Sequence, residues 1–192
     1  MTSQQTSTVE QQTTPSQLTR WDLDPKHSLV EFSAKHMMVT TVKGRFAEVT
    51  GALSLDESDL SRSSVEAVIQ VESIDTRTDQ RDQHLRSADF LDAANFPTIT
   101  FRSRRVEVID AERLNVIGDL SIRGTTREVQ LATTFNGKGV TPYGQQVIAF
   151  TGETKINRRD FGLVWNVALE AGGVLVGDTI KIAIEAQAVK AA

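Results

Sequence analysis

A two-residue period recurs along almost the whole chain, and it constrains the fold more than any other feature. From Leu29, the side chains of Val30, Phe32, Ala34 and His36 fall on one face of an extended segment, while Glu31, Ser33 and Lys35 fall on the other. The same habit returns at Gly44 to Leu55, at Val65 to Val71 and at Ile99 to Val108. It continues at Leu114 to Ile122, Val129 to Phe135, Gln145 to Ile156 and Ile180 to Ile184. Gly51 sits where a strand can bend or bulge. Strands at near-regular spacing, mostly with one apolar face, predict an all-β antiparallel fold, either a closed barrel or a sandwich. Alternation alone does not separate the two. The difference matters, because a barrel of about eight strands can hold one small ligand whereas packed sheets leave little space.

The pattern breaks between Ser73 and Ser103. Asp79 is placed to cap a short helix from Gln80 to about Phe90, with Asp82 in its first turn. Leu85, Ala88 and Leu91 are expected to form its apolar stripe, with Arg81, Asp82, Gln83 and Arg86 on the wet side. Pro97 ends it and sends the chain into a strand at Thr98. A second break, from Asn157 to Asp178, is aperiodic and contains glycine, and reads as a long covering loop with one helical turn. Residues 1–20, rich in Ser, Thr and Gln, read as a disordered tail, which leaves residues 21–192 as one domain.

Composition narrows the function. The 21 basic and 25 acidic side chains give a net charge of −4 with no basic cluster, so no nucleic-acid partner is expected. Cysteine is absent, which removes disulfides, thiolate catalysis and cysteine-held metals. His27, His36 and His84 show neither H-x-H nor H-x₃-H spacing, so no metal is expected and no cofactor is called for. No apolar run is long enough for a transmembrane segment, and the N-terminus lacks the basic-then-apolar pattern of a secretory signal, so the expected compartment is the cytoplasm.

The ordered motifs WDLDPKHSLVEFSAKH (Trp21 to His36), GRF (Gly44 to Phe46), SIDT (Ser73 to Thr76) and RDQHL (Arg81 to Leu85) resemble those of the YceI-like family. So do DFLDAANFPTITFRS (Asp89 to Ser103), GDLSIRGTTR (Gly118 to Arg127), INRRDFG (Ile156 to Gly162) and VGDTIKI (Val176 to Ile182). The resemblance implies an antiparallel lipocalin-like β-barrel of about eight strands, with a short helix between strands and a long covering loop. It also implies non-enzymatic binding, storage or transport of a polyisoprenoid, such as a polyprenyl pyrophosphate or a quinone. Many relatives are periplasmic, and a homodimer is compatible with the resemblance.

On that reading Phe32, Ala34, His36, Phe46 and Phe101 would line the tail site, together with Leu120, Phe150, Phe161 and Trp165. Arg81, His84, Arg158 and Arg159 would meet the head group. Each set has a plainer reading. The aromatic residues can simply be core, Arg81 to His84 can serve helix capping and ion pairing, and Arg158 with Arg159 can pin the covering loop. Two other functions compete with the carrier: a cyclase- or isomerase-type enzyme using His36 or His84 in a dry pocket, and a stress-related structural module with a filled core.

Overall fold

The computed structural model describes residues 18–170 and 172–191. Eleven strands form one hydrogen-bonded sheet: β1 (Leu18–Leu23), β2 (Leu29–His36), β3 (Thr40–Phe46), β4 (Val49–Asp56), β5 (Ser64–Gln70) and β6 (Ile74–Asp75), then β7 (Thr98–Val108), β8 (Arg113–Ile122), β9 (Thr125–Val140), β10 (Gln146–Asn157) and β11 (Val176–Lys190). One helix, α1 (Asp79–Arg86), lies between β6 and β7.

β1 and β2 both run along β11, with Trp21 opposite Lys190 and Phe32 opposite Ile182. On their other side, β1 meets β4 and β2 meets β3. β4 then meets β5, and β3 meets β6. Each of these pairs of short strands therefore makes one interrupted stave, and the sheet closes as an eight-stranded antiparallel up-and-down barrel. Closure leaves the staves no free edge, which removes the usual route to edge-to-edge aggregation.

The connections differ sharply between the two ends. The β2–β3 hairpin at Met37 to Val39, the α1 segment, the β8–β9 turn and the loop from Gly162 to Leu175 share one end, here the helix end. The β4–β5, β7–β8 and β9–β10 turns occupy the other, the turn end. At the turn end Trp21, only 1% exposed, packs with Leu55, Ile148 and Ala188 as a plug. Buried Asp56 holds the neighbouring turn, accepting from the Ser58 and Asp59 backbone N–H groups and pairing with Arg62 Nε at 3.0 Å.

Several local expectations need correction. The segment from Leu18 to Arg20 belongs to β1, while the rest of the expected tail, residues 1–17, lies outside the described residues. α1 ends at Arg86, not near Phe90, and its cap position is Thr78 with no side-chain cap bond. Leu91 reaches the core through tight turns, with its N–H on the Leu85 carbonyl at 3.0 Å and Asp92 at a left-handed φ of 51°. Asp82 is buried rather than wet, accepting from both the backbone N–H and the hydroxyl of Thr76. The register runs regularly through Gly51, where a Cβ would come 2.3 Å from the Glu66 carbonyl oxygen, and the irregularities fall instead at Ser103/Arg105, Ala149/Phe150 and Val176/Ile180.

Candidate functional site

Alternation sends one face of every stave inward, and those faces enclose a cavity of about 480 Å³. Many of its walls are large apolar side chains that keep accessible surface although they point away from bulk solvent. Phe32, Phe101, Val129, Ile180, Ile182 and Ile184 are only half-buried, each packed against core on one side and lining the cavity on the other. These side chains leave the lumen open along the barrel.

Two glycines keep aromatic walls flat. Gly44 lies opposite Phe32 across the β2–β3 ladder, and a Cβ there would stand 2.4 Å from the tip of the Phe32 ring. The ring thus lies over the glycine, with its centroid 5.5 Å from that of Phe46. Gly118 does the same for Phe101, whose ring tip would be 2.8 Å from an added Cβ. In Gly44→Ala, the Phe32 ring has to move toward the lumen. The expected cost is about 1–3 kcal/mol by overpacking, and Phe32→Leu added to the same protein should recover the part due to the ring in a double-mutant melt, leaving the part due to the Thr76 methyl, which an added Cβ would meet at 2.7 Å. Simple additivity of the two changes would contradict this packing.

His36, Arg81, His84 and Arg158 line the cavity at the helix end, while Ser63 and Ser64 line it toward the turn end. His36 is the last residue of β2, opposite Val176 of β11 and Thr40 of β3, so it stands at the rim and not deep in the lumen. His84 places Nε2 2.9 Å from Asp89 and sets its ring edge-on to Phe90 and Trp165, with centroids 5.0 and 4.6 Å away. Arg81 donates from Nε to the Thr76 hydroxyl at 2.7 Å and from one Nη to the Thr76 carbonyl at 2.7 Å. Among the described residues no carboxylate forms an ion pair with it.

The two adjacent arginines separate completely. Arg158 is 3% exposed, and its donors reach the carbonyls of Gly177, Leu163, Trp165 and Val176, with the Asp178 carboxylate at 3.0 Å. Burial pulls this guanidinium below the usual arginine value, and Asp178 pulls it back. The five N–H donors of an arginine are thereby used inside the protein. Arg158 thus pins the covering loop to β11 while also bordering the cavity, which matches the plainer of its two readings. Arg159 is exposed, rests its Nη1 3.5 Å from Asp178, and does not line the cavity.

All nine residues expected on the tail site line the cavity, as do Arg81, His84 and Arg158, whereas Arg159 does not. Sequence reasoning left out Ile180, Ile182 and Ile184 as walls, although their alternation was visible.

The family model described as the YceI-like domain matches residues 21–188. A UPF0312 protein of Staphylococcus epidermidis is 37% identical over 171 residues, which cover 88% of this chain and 97% of that protein. A UPF0312 protein of Staphylococcus aureus is 38% identical over the same coverage. Among solved structures, Burkholderia cenocepacia BcnA superimposes with a TM-score of 0.74 at 23% identity, covering 86% of this chain and 98% of that one. A polyisoprenoid binding domain from Saccharophagus degradans, implicated in plant cell wall breakdown, gives a TM-score of 0.64 at 15% identity, covering 91% and 100%.

Proposed function

The chain belongs to the YceI-like domain family, and from that premise we propose that it is a non-enzymatic carrier that holds a polyisoprenoid, or a similar amphipathic lipid, with its tail in the barrel. The observation that carries this reading is the hollow lumen. Its half-buried Phe, Ile and Val walls have unspent apolar surface, and an apolar chain is the ligand that would cover it. The volume falls in the usual range for ligand sites, about 300–1,000 Å³. The polyisoprenoid-binding domain of Saccharophagus degradans supports the choice of lipid through its shared fold.

The head group belongs at the helix end on this reading. There Arg81 has the guanidinium for an anionic head, His84 and His36 stand close to the same rim, and the aromatic group of Phe90 and Trp165 would cover the first part of the tail. The His84–Asp89 pair resembles the start of an acid/base site, but a buried nucleophile or oxyanion-binding group beside it would be needed for a reaction to be assigned.

Mass spectrometry of an organic extract from the purified, folded protein tests the proposal. A long-chain prenyl compound at close to one molecule per chain is expected. Repeated extracts with no lipid would count against it.

A further inference from the structure

The rim of the helix end carries an apolar surface that neither the core nor the cavity uses. Met38 and Val39, at the tip of the β2–β3 hairpin, are 61% and 78% exposed, and Met37, Val164 and Val167 are also exposed. They form one ribbon. The Met37 N–H donates to the Leu175 carbonyl at 2.8 Å, and the Leu175 N–H donates to the Val167 carbonyl at 2.9 Å. The inner edge of this ribbon, His36, Trp165, Leu175 and Val176, lines the cavity.

The hairpin is an unusual choice for folding alone. Met37 and Met38 take left-handed backbone conformations, φ 51° and 59°, where Asn-Gly is the favoured pair, so two long apolar side chains stand in water on a tip that suits small polar residues. The charges nearest the tip on the two hairpin strands are basic. Lys35 and Lys43 lie on the outer face of β2 and β3 and form no ion pair among the described residues, and the only acidic residue between Gly162 and Leu175 is Glu170. The turn end also exposes apolar groups, Val140 and Tyr143 among them, but the cations on its turns have acidic partners. Arg113 pairs with Asp110 and Lys138 with Glu57, both at 2.6 Å.

We propose that this rim docks on an anionic lipid bilayer, with Met38 and Val39 entering the interface and Lys35 and Lys43 meeting lipid phosphates, so that the barrel opens toward the membrane. The direction of opening rests on the carrier reading, whereas docking itself does not. A tip with two apolar side chains and two lysines gives reversible, salt-sensitive attachment.

Flotation with vesicles of phosphatidylcholine, with and without phosphatidylglycerol, tests it. Wild type is expected to float with the phosphatidylglycerol vesicles and to be released by salt. Met38→Asp with Val39→Asp should abolish flotation, and both positions are exposed, so the melt should be unchanged. Lys35→Ala and Lys43→Ala should each lower partitioning about fivefold. Val140→Asp with Tyr143→Ser, at the opposite end, should float as wild type does. Absence of flotation by folded wild type, undiminished flotation of the Met38/Val39 variant, or a rim-dependent dimer in solution without vesicle binding would each overturn the proposal. Lipid content measured on the same samples separates the two readings. Extracted lipid without flotation removes only the docking surface, and flotation by a lipid-free protein removes only the carrier.

Discussion

Replacing Arg158 by Leu should lower stability by about 3–5 kcal/mol, because several buried loop carbonyls are left without a donor at about 1–3 kcal/mol each. The carbonyls of Leu163, Trp165 and Gly177 each lose a donor, and Asp178 keeps only the longer contact to exposed Arg159. For a chain of this length each kcal/mol moves the melting temperature by about 2–4 °C, so a fall of roughly 10 °C is expected. Hydrogen exchange should rise first between Gly162 and Leu175, because Arg158 ties that loop to β11. Arg158→Gln should also weaken a prenyl pyrophosphate and its neutral quinone counterpart equally. A loss confined to the pyrophosphate, with the melt unchanged, would return Arg158 to the head group.

Ala34→Trp should behave in the opposite way. Ala34 lies between Val42 of β3 and Ile180 of β11 with its side chain on the cavity wall. In a filled interior an indole there would cost about 1–3 kcal/mol by overpacking. In a lumen of about 480 Å³ it has room, so the delipidated protein should melt within a few degrees of wild type. The ring then occupies space the lipid tail needs. Long prenyl chains should lose affinity by at least about tenfold, since about 1.5 kcal/mol goes with each displaced isoprene unit at about 0.3 kcal/mol per atom. Short chains should bind nearly as before. Strong destabilisation with no change in chain-length preference would contradict a hollow barrel.

The staves were legible because burial on one face writes a period of two into the sequence, and the inward set, Phe32, Ala34, Phe101 and Leu120 among them, follows from that period. Hollowness was not. Whether inward side chains meet depends on strand number and tilt, which alternation does not encode. β1 was hidden because LTRWDL is short and follows a polar segment, although Trp21 is among the most buried side chains of the barrel. The end of α1 was misjudged because Leu85 and Leu91 keep helical spacing while the chain between them leaves the helix by tight turns. Arg158 and Arg159 were inseparable as letters. The short 3-10 turn from Arg158 to Phe161 points one inward to the loop carbonyls and leaves the other in solvent.

The most direct test of the lumen as a tail site is a titration of delipidated wild type with prenyl ligands that share one head group and differ in length. Affinity should climb by about tenfold for each isoprene unit that enters, at about 0.3 kcal/mol per atom, and then level off once the cavity walls from Trp165 to Phe150 are covered. Affinity that stays constant with chain length would place the tail outside the barrel and contradict the account.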